Sequence, residues 1–372
     1  MDPRQSELLS FAARVVELPR HGARVSTYKP AVLIALLDLC LERTRSDGTP
    51  PSTVTTGQIA DKVIALYWPQ VRRFEGDILN QHCSGKAKIP RIVADARWRS
   101  PERNLGAFRR GDIDRYAQLV GDVEWELIKS TLPRLQALGA EGDEFLFAAP
   151  WRCSGEGCDP CADLLDHQGR ALSRSEVAED PELRTLRFHG EASGYLAHLH
   201  GFLRPLLERE WVESVAAFNR LSACSLHDFL FGADPQALGG LVEPLLALED
   251  QCVCFYCRQA LAGKVVVDHF IPWSRSADND LANLVVAHSH CAERKRGHLA
   301  ALHHVERWRY RNESGDLDEI AAEHEWEHEP DRSLGIARAN YLNLPDAIPL
   351  WAIDDEFEAM EAPRARAVLG GM

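Results

Sequence analysis

Two short pairs of metal-ligand residues constrain this sequence more than any other feature. Cys254 and Cys257 form a C-x-x-C pair, and after 30 intervening residues His288 and Cys291 form an H-x-x-C pair. Each pair suits a tight turn that points two ligands at one ion, and two such pairs complete a tetrahedral zinc site. We therefore predict a structural Zn²⁺ bound by these four residues, with Cys252 as an alternative ligand.

A short apolar strand is predicted between the two pairs. The stretch VVVDHFIPWS, residues 265–274, runs from three β-branched residues into Asp268 and His269. A buried strand excludes ionisable groups unless they are paired or bound to a metal, because desolvating a charge is costly. Pro272 cannot extend a hydrogen-bonded ladder, so it fits a strand that stops before it. We expect the two ionisable residues at an exposed strand end or beside a cation.

The motifs of this segment, taken together, resemble the HNH nuclease family. The matching motifs are C-F-Y-C at 254–257, D-H-F-I-P at 268–272, N-L-V-V at 283–286 and H-x-H-C-x-E-R-K-R at 288–296. The resemblance covers about 60 residues of the chain and is specific, because an ordered set of unlike residues matches. It implies a ββα-metal unit, in which a two-stranded hairpin holds a divalent ion against a helix.

The resemblance also implies roles for single residues. His269 would be the general base, since imidazole suits proton abstraction near neutral pH. Asp268 would bind a catalytic Mg²⁺ or Mn²⁺, hard ions that prefer oxygen ligands. Asn283 would hold His269 in the right tautomer through its side-chain carbonyl. Three basic residues of the following helix would contact the phosphates around the scissile bond: Arg294, Lys295 and Arg296.

One position departs from the family pattern. The family has a second metal ligand, Asn or His, directly after the last zinc cysteine, and this sequence has Ala292 there. Alanine cannot bind a cation. Either His290, Glu293 or His298 replaces the ligand, or water completes the shell, or the site is weakened. Magnesium often keeps several waters, so the loss of one protein ligand is not decisive.

Charge is distributed unevenly along the chain. Residues 1–110 carry 18 Lys and Arg against 11 Asp and Glu, and residues 251–312 carry nine against five. The remaining residues carry 15 against 40, and the whole chain has a formal charge of −14. This asymmetry is compatible with a positive surface that faces DNA on an acidic body. Charges scattered over a solvated surface are the alternative.

Hydrophobic periodicity predicts a mainly helical chain. Residues 28–43 and 58–70 have helical patterns, and a basic segment follows at 86–110. We expect a mainly α fold with a small α+β part: helical N-terminal and middle regions plus the ββα-metal unit. Four domains are expected. Residues 1–110 should form a helical domain, either winged-helix-like or with a basic edge, and residues 111–250 an acidic helical domain. Residues 251–312 should form the HNH domain, and residues 313–372 an acidic tail that docks on the body and frays at its end.

These features together predict a cytoplasmic nuclease. Ten cysteines without a secretory pattern indicate thiols or metal ligands, and no apolar run is long enough for a bilayer. The expected function is metal-dependent hydrolysis of phosphodiester bonds in DNA, with RNA as an open second substrate. Analogy with stand-alone family members suggests prokaryotic restriction or anti-phage defence. The alternative is a catalytically weakened DNA-binding or scaffold module. A homo-oligomer and an activating protein partner remain open.

Overall fold

A computed structural model describes most of the chain in two compact units. It covers residues 3–21, 25–100, 104–136, 144–154, 163–232, 238–247 and 252–370. The first unit comprises Met1–Cys40 and Pro51–Gly232, and the second comprises Leu41–Pro50 and Ala233–Met372. The expected fold class is confirmed, because the described residues are mainly helical with small separate sheets. The finer division into four domains stays a prediction.

The first unit is a helical body with a small antiparallel sheet. The sheet has the strand order β1–β7–β4 and pairs Thr53 with Arg187. Elements of this part of the chain are α1 (Pro3–Glu17), α2 (Tyr28–Glu42), β1 (Thr53–Thr55), α3 (Thr56–Gln70), β2 (Arg73–Phe74), β3 (Asp77–Ile78), α4 (Lys88–Arg99), α5 (Leu105–Gly111), α6 (Ile113–Lys129), β4 (Phe147–Ala148), β5 (Trp151–Cys153), β6 (Leu164–Asp166), α7 (Arg174–Glu179), β7 (Thr185–Phe188), α8 (Ala192–His198), α9 (His200–Asn219) and α10 (His227–Phe231).

Both helices predicted in the N-terminal region are confirmed. In α2, a continuous apolar run buries every residue from Ala31 to Leu37, as expected for a helix surrounded by other elements. Helix α3 begins with a capping box, in which the Thr55 side chain accepts from the Gln58 backbone N–H and the Gln58 side chain accepts in return. Pro69 lies in its last turn, where the helix ends.

The basic segment of the first unit forms helices α4 and α5, and several of its cations bond within the unit. Lys88 pairs with the carboxylate of Glu126, and Arg109 donates two hydrogen bonds of 3.0 Å to Asp61. Paired cations contribute less to an outward-facing field than free ones. The role of residues 1–110 as a DNA reader therefore stays a prediction, which the fold neither requires nor contradicts.

The second unit contains the motif-bearing segment. Its central feature is an antiparallel hairpin followed by a short helix, the ββα arrangement that the sequence motifs imply. Its elements are α11 (Val242–Ala247), β8 (Val265–His269), β9 (Leu284–His288), α12 (Ser289–Lys295), α13 (Leu302–Glu313), α14 (Asp316–Glu323), α15 (Pro330–Tyr341), β10 (Pro349–Ile353), β11 (Glu356–Ala359) and α16 (Ala362–Leu369).

The two ends of the β8–β9 hairpin carry different residues. Its register pairs Val265 with His288 at one end and His269 with Leu284 at the other. The predicted strand that ends in Asp268 and His269 is therefore confirmed, and the chain leaves the ladder three residues before Pro272. Strand β9 is buried along its whole length, which fixes the hairpin in the core of this unit.

The C-terminal region packs closely within the second unit. Trp351 in β10 is fully buried, and its backbone exchanges hydrogen bonds with Leu299 and Ala301. The prediction that residues 363–372 fray is wrong for their described part, 363–370, because α16 is a regular helix whose Ala365 and Leu369 are fully buried. Apolar residues at helical spacing supply the packing that orders this segment.

Candidate active site and metal centre

Four ligand residues meet at one end of the hairpin. Cys254 and Cys257 lie at the turn that precedes β8, His288 ends β9, and Cys291 lies in the first turn of α12. Their three sulfurs and a His288 ring nitrogen all lie within 4.8 Å of one another. The structure therefore brings together the four residues predicted from spacing. Three sulfurs and one nitrogen form a ligand set that suits tetrahedral Zn²⁺.

Hydrogen bonds determine which nitrogen of His288 faces the sulfurs. Its Nε2 lies 3.1 Å from the Ala260 carbonyl oxygen and 3.4 Å from the Ala262 amide nitrogen. We favour the shorter contact, because a carbonyl can only accept, so Nε2 carries the proton. The Nδ1 lone pair then faces Cys257 Sγ, 3.4 Å away. A metal-binding histidine usually donates its other ring N–H to such an acceptor.

The protonation of the cysteines also fits a metal site. Burial raises the pKa of the Cys291 thiol, and the neighbouring Cys254 and Cys257 raise it further. Burial likewise raises the pKa of Cys257. The thiols of Cys257 and Cys291 therefore do not ionise readily without a cation to balance their charge, whereas zinc binds the thiolate form. The cluster could therefore hold a metal ion such as zinc.

Asp268 and His269 occupy the opposite end of the hairpin, where β8 ends. The Asp268 carboxylate accepts two hydrogen bonds at Oδ2, from the Tyr256 hydroxyl at 2.6 Å and from Lys295 Nζ at 3.0 Å. Its side chain remains 18% exposed, whereas that of Lys295 is fully buried. Asp268, which was expected at an exposed strand end or beside a cation, is therefore partly exposed, and the cation beside it is the Lys295 ammonium group.

Lys295 does not occupy the position that the sequence suggested. It is buried and also donates to the His269 carbonyl oxygen at 2.7 Å. Burial lowers the pKa of its ammonium group, and Asp268 opposes that effect. A fully buried ammonium group cannot reach a nucleic-acid phosphate, so the predicted phosphate contact is wrong for this residue. Lys295 instead joins the end of α12 to the end of β8.

The other two basic residues predicted to contact phosphate lie on the surface. Arg294 is half-exposed and pairs with Asp355 at 2.6 Å and with Asp354 at 3.8 Å. Arg296 is exposed, and its Nε donates to the Glu293 carbonyl oxygen at 2.8 Å. Exposed ion pairs contribute little free energy, so the pairing of Arg294 does not prevent its contact with another anion.

The His269 ring is held by a residue that the sequence analysis missed. Its Nε2 lies 2.7 Å from Asn279 Oδ1, and Trp273 packs beside it with a centroid distance of 5.2 Å. An amide oxygen can only accept, so Nε2 carries the proton and Nδ1 is the free basic nitrogen. The signal in the sequence was the polar run DND at 278–280, which immediately precedes the Asn283 motif.

Asn283 is buried, but the contact predicted between its side chain and His269 is not formed. Its Oδ1 accepts the Ile271 backbone N–H at 2.7 Å, and its Nδ2 donates to the carbonyl oxygens of Ile271 at 3.2 Å and Asp278 at 3.0 Å. Asn283 thus fixes the backbone at both ends of the loop that follows His269. The expected direct orientation is wrong, because Asn279 on that loop makes the contact.

The residues considered as replacements for the missing ligand at Ala292 have other contacts. His290 stacks on His288 at a centroid distance of 4.9 Å, and Glu293 accepts from the Ser289 hydroxyl at 2.7 Å. The ring of His298 packs against Phe357. Within the described ranges, the Cys/His cluster is the one group of three or more His, Cys, Asp or Glu residues close enough to share an ion.

Comparison with known families identifies this segment. Residues 254–301 match the family model described as HNH endonuclease. The match contains both ends of the hairpin and the helix α12, so the predicted family resemblance is confirmed for this part of the chain. It supports nuclease activity on nucleic acid. No curated protein and no solved structure matches the chain. Among the described residues, no helix has the length and apolar character needed to cross a membrane.

Proposed function

We propose that this chain is a metal-dependent HNH endonuclease that hydrolyses phosphodiester bonds in DNA. The observation that carries the proposal is that Asp268 and His269 are adjacent at the end of β8, inside the segment that matches the family model. Asp268 is partly exposed, and the ring of His269 has a defined hydrogen-bond partner in Asn279. A carboxylate and an oriented imidazole are the two groups that such a hydrolysis requires of a protein.

His269 acts as the general base in this proposal. With the proton on Nε2, its Nδ1 takes a proton from a water molecule that attacks phosphorus. A bond forms between the water oxygen and phosphorus, and the bond from phosphorus to the leaving oxygen breaks. The resulting imidazolium keeps its Nε2–H bond to Asn279, so the ring holds its orientation throughout proton transfer.

Asp268 is the candidate ligand of the catalytic ion. Its Oδ2 accepts from Tyr256 and Lys295, so Oδ1 is the oxygen that would bind a cation. Magnesium commonly uses one or two carboxylates, several waters and substrate phosphates, so one protein carboxylate fits such a site even with Ala292 in place of a second ligand. When bound, a divalent ion would stabilise negative charge on the phosphate and the leaving oxygen.

The substrate class rests on surface charge as well as on the family. Arg294 lies on α12 and Arg296 directly follows the helix, and both could contact phosphates on either side of the scissile bond. Such contacts bind any backbone, so RNA is the second substrate to test. A cytoplasmic role in restriction or anti-phage defence, as a monomer, a homo-oligomer or with an activating partner, follows by analogy with the family.

The second candidate function is a DNA-binding or scaffold module with a weakened catalytic site. It is favoured by Ala292, which supplies no ligand, and by Lys295, whose ammonium already neutralises Asp268. In that case the zinc cluster and the hairpin preserve the fold, and the basic residues of α12 preserve binding. The two functions differ in one measurable property, which is cleavage that depends on a divalent ion.

The test is a cleavage assay on the zinc-loaded full chain. Supercoiled plasmid and single-stranded RNA are incubated with Mg²⁺, Mn²⁺ or EDTA, and the zinc content is measured after EDTA treatment so that loss of the fold is not mistaken for loss of the catalytic ion. His269→Ala is compared with His324→Ala, which changes an exposed histidine of the same unit. Removal of a general base reduces the rate by about 100- to 10,000-fold.

Cleavage that requires Mg²⁺ or Mn²⁺, persists in the His324 variant and is lost in the His269 variant supports the nuclease. Cleavage that persists in His269→Ala contradicts the assignment of the base. If the proteins bind DNA in a gel-shift assay but none of the three cleaves it, the result supports the DNA-binding or scaffold module. Cleavage of RNA alone replaces DNA by RNA as the substrate.

A further inference from the structure

The residue that orients His269 is itself fixed by a part of the chain outside the family match. Asn279 lies in the loop between β8 and β9, and its carbonyl oxygen accepts the indole N–H of Trp326 at 2.8 Å. Trp326 belongs to the segment between α14 and α15, 25 positions beyond the end of the match at residue 301. The described contacts therefore connect the His269 ring to a segment of the chain that the motifs do not include.

Both neighbours of Asn279 are buried carboxylates held by the 326–333 segment, which runs from Trp326 into the first turn of α15. Asp278 accepts from Arg332 at 3.1 Å through Oδ1 and from the Ser333 hydroxyl at 2.7 Å through Oδ2. Its side chain is 2% exposed. Burying a carboxylate is costly unless charged and hydrogen-bonding partners compensate it. Arg332 and Ser333 supply these partners, so Asp278 can stay in the interior only where α15 begins.

Asp280 is held from the other side of Asn279. Its Oδ1 accepts the Ala282 backbone N–H at 2.8 Å, and its Oδ2 accepts the Glu329 backbone N–H. Its side chain is fully buried, and Arg332 lies 3.5 Å from Oδ2. The backbone N–H of Leu281 donates to the Glu327 carbonyl oxygen at 3.0 Å. Both carboxylates of residues 278–281 and several of their backbone groups therefore form hydrogen bonds with the 326–333 segment or within the loop itself.

We propose that Asn279 is the positioning residue of His269 and that the segment 326–333 keeps Asn279 in place. The inference rests on the proposed function, in which His269 is the base. Asn279 is half-buried and by itself could adopt other rotamers, each of which would remove the acceptor from His269 Nε2. The backbone of Asn279 is restricted by the contacts of Trp326, Arg332 and Ser333. It is also restricted by Asn283, which donates to the Asp278 carbonyl oxygen.

The consequence is a specific tautomer. With Asn279 Oδ1 at 2.7 Å, the neutral imidazole carries its proton on Nε2 and presents Nδ1 to water. Without this acceptor, the two tautomers become comparable in free energy and the ring can rotate. Many of the molecules would then carry the proton on Nδ1, and rotation of the ring would turn the basic nitrogen away from the attacking water in most of the others. The rate would fall through kcat, because the substrate contacts of α12 are not altered.

The test uses two independent readouts on the zinc-loaded full chain. The first is the pattern of ¹⁵N side-chain resonances of histidine at a pH at which the imidazole is neutral, with the His269 signal assigned by its loss in His269→Ala. The second is kcat and KM for nucleic-acid cleavage. The variants are Asn279→Ala, Trp326→Phe, which keeps a ring but removes the indole N–H, and Asn340→Ala, which changes a half-buried asparagine of the same unit outside this network.

The wild-type ring is expected to show protonated Nε2, and Asn279→Ala a mixture of the two tautomers. Removing an outer-shell orienting partner typically costs about 10- to 100-fold in activity, so we expect that loss in kcat for Asn279→Ala. KM should stay within about threefold, and Trp326→Phe should produce a smaller effect of the same kind. Asn340→Ala should match the wild type in both readouts.

A wild-type ring with protonated Nδ1, a variant Asn279→Ala with unchanged spectrum and kcat, or an equal loss in Asn340→Ala would each overturn the proposal. Failure of the nuclease function is distinguishable from these results. If the wild type cleaves no substrate, the resonances still report whether Asn279 determines the tautomer of His269.

Discussion

The two ends of the β8–β9 hairpin are built in different ways. At one end, Cys254 and Cys257, His288 and Cys291 come from two short motifs, and the hairpin register brings the motifs together. At the other end, the motif residues Asp268 and His269 obtain their hydrogen-bond partners from elsewhere: Tyr256, Asn279 and Lys295.

The difference shows what each end requires. A structural metal ion supplies a large part of the binding free energy itself, so the protein needs only to bring four ligands within reach. The proposed catalytic pair has no such organiser, and its groups must be held within about half an ångström by packed neighbours. Under our proposal, the second end therefore draws on residues as distant as Trp326 and Arg332, which would act on His269 through Asn279.

The largest expected effect comes from the metal end. Cys254→Ser should prevent stable zinc binding and unfold the second unit, because structural zinc sites in small domains contribute about 10 kcal/mol or more of binding free energy. Zinc content per chain and thermal unfolding measure this effect. Cys252→Ser is the matched control, since Cys252 is exposed and lies two positions away.

The control variant also tests the alternative zinc ligand. Retention of one zinc per chain and of the unfolding temperature in Cys252→Ser supports the cluster of Cys254, Cys257, His288 and Cys291. Loss of zinc in Cys252→Ser with retention in Cys254→Ser would show that Cys252 is the ligand. The ligands at this end would then not be the four residues that the hairpin brings together.

A smaller effect is expected at the loop that joins the strands. Asn283→Ala removes three hydrogen bonds and leaves the Ile271 N–H and two carbonyl oxygens buried without that partner. A net loss of about 1 kcal/mol for each bond gives a decrease of about 2–4 kcal/mol in the free energy of unfolding. Chemical denaturation measures it, and zinc should remain bound under native conditions.

The cleavage rate of Asn283→Ala tests whether the loop affects the His269 end of the hairpin separately from the metal cluster. Because the variant changes the loop that carries Asn279, its kcat should fall while the metal cluster persists. An unchanged free energy of unfolding would mean that these hydrogen bonds are replaced in the variant, and the loop would then not depend on Asn283.

A weaker pH dependence is expected from a histidine near the proposed catalytic end. His304 in α13 is buried against Tyr256 and Trp351, and burial lowers its pKa to about 3, although its bond to the Ala352 carbonyl opposes this. The folded state keeps this histidine neutral while the unfolded state gains a proton below about pH 6.5. Stability is thus present above pH 6.5 and decreases as the pH falls toward 3.

The decrease between pH 7 and pH 5.5 should be about 1 kcal/mol for this group. Chemical denaturation at the two pH values measures it, with zinc content checked at each because acid also competes for the metal ligands. His304→Gln should reduce the pH dependence by this amount. An identical pH dependence in the variant would assign the acid sensitivity to other groups, such as the metal cluster.

The sequence was sufficient where local spacing determines the structure. The clustering of the four predicted metal ligands, the strand that ends in His269 and the helices α2 and α3 follow from motifs and periodicities of a few residues. Each is determined by neighbours in the chain, through turn geometry or amphipathic packing. The family match over residues 254–301 coincides with this locally determined part.

The sequence was insufficient where tertiary contacts decide the role of a side chain. Lys295 has the same pattern as its surface neighbours Arg294 and Arg296, and only the packing of α12 against β8 buries it. The partner of His269 is Asn279 and not the motif residue Asn283, because the Asn283 side chain bonds to the backbone of Ile271 and Asp278. The end of the chain is ordered by packing of Leu369 that no local motif shows.

Our proposal that one end of the hairpin is structural and the other catalytic can be tested by measuring zinc content and cleavage rate together on His269→Ala. We expect one zinc per chain, an unchanged unfolding temperature and a cleavage rate lower by at least about 100-fold in the presence of Mg²⁺ or Mn²⁺. Wild-type cleavage by this variant, or loss of its zinc, would show that the two ends do not have these separate roles.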